Sequence, residues 1–211
     1  MTKELKKRFL SSIILIPVTF FFIFQESILF IFFLSILFFI TSYEWVKMNN
    51  DKDFMKLLGI FFLLFSFYST FQIRINYGIN FFLWVIMICI FTDIGGYVCG
   101  NIFKGPKLTK ISPKKTYSGV LGGFVFALIV GLSLIKFFKI NFLETIPLKV
   151  VFIISIISLI SQLGDLIISY FKRKAKLKDT GNILPGHGGL LDRVDGLIFV
   201  MPVIYLRILI L

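Results

Sequence analysis

Histidine and cysteine are nearly missing from this chain: His187 is the single histidine, and Cys89 and Cys99 are the only cysteines, in 211 residues. One imidazole, with no serine, histidine and carboxylate relay evident, gives poor support to nucleophilic covalent catalysis. The cysteines have neither metal-ligand spacing nor a disulfide context and read as packing residues. Acids are scarce too, 11 against 23 Lys and Arg. No polar stretch is long enough to form a soluble domain of independent size. A cleavage signal is also missing: "KELKKRFLSSIILIPVTFFF" has the basic flank and apolar centre of a signal peptide, but no small-residue cleavage site follows and apolar character resumes at once. A first membrane span is therefore expected there.

What is present in quantity is oil. The chain is 57% hydrophobic, carries 28 Phe and has a mean hydropathy of +0.93, well above the 45 to 50% apolar content usual in soluble domains. A helix crosses a hydrocarbon core of about 30 Å with about 20 residues. Apolar runs near that length recur, and the sequence predicts an all-α polytopic membrane protein with about seven transmembrane helices. They are placed near 9–24, 27–43, 57–73, 77–92, 117–135, 150–171 and 196–211. Only Gln25, Glu26 and Ser27 separate the first two, which predicts a tight hairpin. Functionally, 1–92 reads as N-terminal transmembrane helices and 93–211 as a catalytic region with cytoplasmic loops.

Charge placement tests this division. With the N-terminus cytoplasmic and seven alternating spans, eighteen of the 23 basic residues fall on the cytoplasmic side, leaving Arg74, Lys136, Lys139, Lys149 and Arg207 opposite. That asymmetry is the kind that orients membrane proteins. The net charge of +12 is then mainly a topology signal, and no nucleic-acid partner is expected.

Polar residues in the spans follow helical spacing. Ser155, Ser158, Gln162, Asp165 and Ser169 occupy one stripe of the sixth span. Hydroxyls alone fit a helix-packing face, but a carboxylate in a span should face protein, water or a cation rather than lipid. Asp93, in "FTDIGGYVCG", is expected to close the fourth span. The glycines after it permit close approach of a neighbouring backbone or a phosphate. Gly119, Gly123, Ala127 and Gly131 form a small-residue face in the fifth span, suited to close packing inside the fold or between subunits; a homodimer is compatible with it.

Two expected cytoplasmic loops carry chemistry. "ISPKKTYSGVLGG" places Lys114 and Lys115 with Ser112, Thr116 and Ser118 before a helix, a plausible phosphate site, although lysine-rich loops are ordinary on this side of a membrane. "KRKAKLKDTGNILPGHGGLLDRVDG" is richer. Its lysines would suit anionic headgroups. Glycines on both sides of His187 free the backbone to wrap a ligand, and Asp192 and Asp195 could share a face at the start of the last span, or simply cap it. Carboxylates beside Lys and Arg suggest a division of labour in which oxygen ligands hold Mg²⁺ while cationic side chains take phosphate oxygens. Phosphoryl chemistry at the membrane face follows.

The run "SYFKRKAKLKDTGNILPGHGGLLDRVD", Ser169 to Asp195, closely resembles the signature of the phosphatidate cytidylyltransferase (CDP-diacylglycerol synthase) family. "GD" at Gly164 and Asp165, "DIGGY" at Asp93 to Tyr97 and "ISPKKT" at Ile111 to Thr116 are similar to further stretches of that family, in order. The resemblance implies a cell-membrane enzyme of phospholipid biosynthesis, its active site on the cytoplasmic side, joining CTP to phosphatidic acid with Mg²⁺ and giving CDP-diacylglycerol and pyrophosphate. It also implies a potassium ion beside the magnesium. On the matching positions, Asp165 and Asp192 look like metal-binding carboxylates with Asp195 in support. Lys172, Arg173 and Arg193 join the two aspartates as catalytic residues. Asp93, Ser112, Lys114, Lys115, Lys178 and His187 fall in substrate-binding stretches. Many members continue "SPKKT" with Trp and Glu, where this chain has Tyr117 and Ser118, so an acidic role there is lost. The chain is also compact for the family, and a helix or more is expected to be lacking at its N-terminus.

Two rivals remain at this level. A CTP-dependent lipid kinase of related architecture would move the terminal phosphate to a lipid alcohol. An ion-coupled transporter would use Asp93 and Asp165 as a pathway, but the polar residues gather at one face and no inverted repeat with paired broken helices is evident.

Overall fold

The computed structural model describes residues 3–25, 27–49, 53–109, 112, 114–140, 147–184, 186 and 188–210. Among the described residues there are eight helices: α1 Lys3–Phe24, α2 Ser27–Met48, α3 Asp53–Asn76, α4 Gly78–Phe103, α5 Tyr117–Phe137, α6 Pro147–Lys174, α7 Leu191–Val194 and α8 Leu197–Ile210. Extended pairing is confined, among these residues, to two isolated bridges in loops. Helices α2 to α6 each contain a stretch long and apolar enough to cross a bilayer. Two shorter apolar segments, Ile13–Phe24 and Leu197–Leu206, occupy the first and last expected spans.

Polarity is distributed as an apolar surrounding demands. Phe39 and Phe61 are each 69% exposed and Leu121 67%, whereas Thr41, Glu44, Ser69, Thr92 and Ser158 are buried. In water such an array of exposed aromatics would drive aggregation; in lipid it is the ordinary outer surface of a helix. Buried hydroxyls such as those of Thr41 and Thr92 bond within their own helices, Thr41 donating to the Leu37 carbonyl and Thr92 to that of Ile88, each at 2.8 Å, as a medium without water favours. The chain is an integral membrane protein.

The chain divides into two compact units, one of Met1–Phe71 with Phe171–Val194 and one of Gln72–Tyr170 with Asp195–Leu211. In the first, α1 and α2 form the expected hairpin, and the Phe22 and Phe33 rings stack across it at 5.1 Å. Helix α2 runs on to Met48, five residues past the end that hydropathy placed at 43. The Trp45 indole explains the extension: its nitrogen donates to the Met55 carbonyl at 2.9 Å, and its ring stands edge-on to Phe171 at 4.8 Å. The extra turn puts Glu44 inside a helix.

In the second unit α4 and α5 meet backbone to backbone. A Cβ on Gly95 would come 2.5 Å from the Gly122 carbonyl, and one on Gly119 would come 2.8 Å from that of Gly96. The expected small-residue face of α5 is buried here: Gly119, Gly123, Ala127 and Gly131 all lie inside the unit, where the Trp84 indole donates to the Gly131 carbonyl at 2.8 Å and Ile154 of α6 covers Gly131. Cys99 lies against Gly122 and Cys89 is buried, so both cysteines are packing residues.

That contact overturns one expectation. Asp93 does not close the fourth span, because α4 continues to Phe103. Gly95, Gly96 and Gly100 read as helix breakers in isolation, but each lies against α5, and the packing outweighs their low helix propensity. A second correction concerns the last span. Asp192 lies in α7, while Asp195 follows it in a turn before α8, so the two do not share the start of one helix. Gly196 marks the break, its α-carbon close enough to Ser161 of α6 that no side chain fits.

Candidate functional site

The first charged cluster belongs to the second unit. The segment between α4 and α5 folds back on itself: Leu108 donates to the Lys115 carbonyl at 2.8 Å, Lys115 to that of Ser112 at 3.0 Å and Tyr117 to that of Pro106 at 3.2 Å. Thr116 ends this turn as the N-cap of α5, accepting from the Gly119 amide at 3.1 Å; Ser118 donates to the Lys104 carbonyl. The two hydroxyls are thus engaged in holding the loop. The result is to deliver Lys115 to Asp165 of α6, ammonium to Oδ2, at 2.5 Å. Ser169, one turn along α6, donates to Asp165 Oδ1 at 3.3 Å. Asp93 of α4 lies within electrostatic reach of both charged partners. Ser112 is partly covered and Lys114 exposed.

The rest of the polar stripe on α6 packs as hydroxyl-rich faces do. Ser158 is fully buried, Ser169 nearly so, and Gln162 stands against Gly123 of α5. Asp165 differs from them, its side chain retaining 31% of its surface.

The second cluster belongs to the first unit. Helix α6 ends in a Schellman turn: Leu177 donates to the Lys172 carbonyl at 2.9 Å and Lys176 to that of Arg173 at 3.0 Å. Lys176 takes the left-handed position at φ 57°, where glycine is usual. Lys172 then reaches Asp192 Oδ1 at 2.6 Å. The other oxygen, Oδ2, accepts from the Thr180 amide at 2.8 Å and the Gly189 amide at 3.3 Å, and the Thr180 hydroxyl oxygen stands 3.1 Å from it. A carboxylate offers about four acceptor positions, and Asp192 uses nearly all of them. Its side chain is only 8% exposed and that of Lys172 12%.

Sequence reasoning missed a residue here. Glu44 of α2 is 1% exposed. It accepts from the Leu190 amide at 2.9 Å through Oε1, and from the Leu191 amide and the Thr180 hydroxyl, each at 2.8 Å, through Oε2. A carboxylate within an apolar helix costs about 2.5 to 3.5 kcal/mol on insertion scales; hydrogen bonds to a charged group, about 1.5 to 3 kcal/mol each, offset it. The signal was the acid itself, which fell just outside a span ended at residue 43, five residues short of the end of α2. The loop glycines make this approach possible: a Cβ on Gly181 would stand 2.7 Å from Glu44 Oε1, and one on Gly189 2.6 Å from Oε2. Part of the glycine content attributed to ligand wrapping thus accommodates a carboxylate from α2.

The remaining expected site residues fall as follows. Arg173 donates to the Leu177 carbonyl at 3.1 Å, Lys178 and Arg193 are exposed, and Asp195 accepts from the Gly196 amide at 2.9 Å. His187 lies outside the described residues; Gly186 and Gly188 beside it have φ of 78° and 86°. Among the described residues no group of three or more His, Cys, Asp or Glu side chains is gathered to hold a metal alone. Carboxylate oxygens nonetheless fit Mg²⁺, which commonly takes one or two protein carboxylates and completes its shell with water and substrate phosphate. Asp165 offers both oxygens in exchange for a lysine and a weak hydroxyl contact, whereas Asp192 offers chiefly Oδ1.

Helical spans carrying acid–lysine pairs in and beside their loops define a polytopic membrane protein with one such pair in each unit. Residues 54–211 match the profile of the Cytidylyltransferase family, and the chain belongs to that family. It is 39% identical over 173 residues to a phosphatidate cytidylyltransferase of Staphylococcus saprophyticus, a match covering 79% of this chain and 64% of that protein. The corresponding Staphylococcus aureus protein is 38% identical over 172 residues, with the same coverage. A phosphatidate cytidylyltransferase of Rickettsia bellii is 38% identical over 169 residues, covering 77% of this chain and 72% of that protein. The match thus spans 64% of the length of the staphylococcal relatives.

Proposed function

We propose that this chain transfers a cytidylyl group from CTP to phosphatidic acid, releasing pyrophosphate and leaving CDP-diacylglycerol in the bilayer. The observation that carries this reading is the family match over 54–211 with two acid–lysine pairs inside it, Lys115 with Asp165 and Lys172 with Asp192. The relatives bear the name of this activity. In the same reading the protein works in the cell membrane with its charged loops at the cytoplasmic face, where CTP is available.

The lipid phosphate is already ionised, so its attack on the α-phosphorus of CTP needs positioning and charge neutralisation more than a strong base. Mg²⁺, for which Asp165 of the second unit and Asp192 of the first each offer carboxylate oxygens, would supply the neutralising charge for the triphosphate when bound, with a potassium ion as a further proposed component. Lys115 and Lys172, pre-aimed by their carboxylate partners, would shift to phosphate oxygens as substrate enters. Lys114, Lys178 and Arg193 are exposed and suited to receiving the outer phosphates. The acyl chains would stay beside apolar helix faces throughout.

The test uses CTP labelled in its base, incubated with phosphatidic acid vesicles, Mg²⁺ and purified protein. Label entering the lipid fraction supports cytidylyl transfer. Label remaining in soluble CDP, with phosphate on the lipid, would assign the chain to lipid kinases; no nucleotide turnover at all would sink both.

A further inference from the structure

Glu44 lies ahead of the family match, which begins at residue 54, and it touches no residue to which the proposed chemistry assigns a substrate. Its carboxylate is nevertheless among the most thoroughly bonded groups in the first unit. We propose that Glu44 is a positioning residue that sets the place of Asp192 through Thr180 and the backbone of residues 189–191. This rests on the cytidylyl-transfer reading for its consequence, although the geometry stands without it.

The chain of contacts is short. Glu44 Oε2 accepts the Thr180 hydroxyl at 2.8 Å, and the same threonine donates its amide to Asp192 Oδ2 at 2.8 Å. The Leu191 amide, adjacent to Asp192 in sequence, also donates to Glu44, at 2.8 Å, and that of Leu190 at 2.9 Å. One buried carboxylate thereby fixes both strands of the loop, at Thr180 on the way out and at Leu190 and Leu191 on the way back. Asp192 is clamped between Thr180 on one oxygen and Lys172 on the other. With its second oxygen crowded by loop donors, its first is held facing Lys172.

No neutral side chain reproduces this. An amide in place of the Glu44 carboxylate has a single acceptor oxygen, and its NH₂ group must face either the Leu190 amide or the pair formed by Leu191 and Thr180. At least one donor is then opposed by another donor. The loop must shift, and Asp192 with it. Displacement of a catalytic group by about 1 Å can cost about 100-fold in rate.

Glu44→Gln, Thr180→Val, Thr180→Ser and the double variant Glu44→Gln/Thr180→Val are purified in detergent and compared with the parent. Turnover is measured with base-labelled CTP, and amide exchange by mass spectrometry on peptides from the 178–192 loop. Glu44→Gln is expected to lower kcat about 100-fold while KM for CTP stays nearly constant, with faster exchange in the loop and none in α4 or α5. Thr180→Val should move both readouts in the same direction, and Thr180→Ser should recover most of the loss. The double variant should be no worse than the poorer single, since both act through one path. Unchanged turnover and loop exchange in Glu44→Gln would overturn the proposal, as would multiplying losses in the double variant. So would a lower yield of folded Glu44→Gln with normal turnover per folded molecule, the signature of a purely structural acid. If Glu44→Gln cannot be recovered folded, the Thr180 pair decides: full turnover in Thr180→Val sinks the idea. If the parent itself transfers no cytidylyl group, the functional reading fails, and loop exchange alone still tests the positioning.

Discussion

Asp165 and Asp192 each face a lysine at close range, 2.5 and 2.6 Å, yet their surroundings differ in kind. The Asp192 side chain is only 8% exposed and is fastened by two backbone amides besides its lysine. Asp165 keeps 31% of its side-chain surface and, among the described residues, is otherwise met by one serine hydroxyl at 3.3 Å. The contrast separates an acid built into a loop from an acid left available. The first derives its orientation from the fold, the second from whatever charge stands before it.

Substitution should expose that difference, most strongly in activity. Asp165→Asn removes an available charge with little structural commitment, so turnover with labelled CTP should fall by about 1,000-fold, the rate equivalent of several kcal/mol of charge stabilisation. Its thermal midpoint in detergent should barely move; a large drop in midpoint would mean that Asp165 is as structural as Asp192. Next in size is Lys172→Met, which strands a buried carboxylate and should cost about 3 kcal/mol of stability, read by denaturant titration of the micellar protein. The matched variant Lys115→Met breaks a more exposed pair and should stay within about 1 kcal/mol of the parent. Equal losses for the two lysines would erase the comparison. Thr116→Ala, which deprives α5 of its N-cap, should cost about 1 kcal/mol in the same titration and loosen the delivery of Lys115.

Hydropathy made the helical spans legible because lipid requires long apolar runs, and the small-residue face of α5 could be seen because its spacing is helical. The ends of the spans were harder. Gly95, Gly96 and Gly100 look like a helix terminus until α5 is placed beside them, and only the packed pair explains why α4 continues to Phe103. At the site, the acids in the "GD" and "LLDRVD" stretches were visible through their cost in an apolar chain and their resemblance to a family signature. Lysine partners could not be assigned, since Lys115 and Asp165 are fifty positions apart and their meeting depends on how a loop folds. Glu44 was obscured by the same boundary problem: an acid at the supposed edge of a span needs no explanation, whereas one in its last buried turn does.

The glycine-to-glycine seam of α4 and α5 has a mechanical corollary. Helices separated by side chains can splay when the surrounding bilayer thins or thickens; helices in direct main-chain contact have no cushion to compress or stretch. Hydrophobic mismatch would then be absorbed by tilt of the pair together, sparing the loop that joins them and carries Lys115. In membranes of differing thickness, the reach of that lysine should stay constant while the slant of its supports changes.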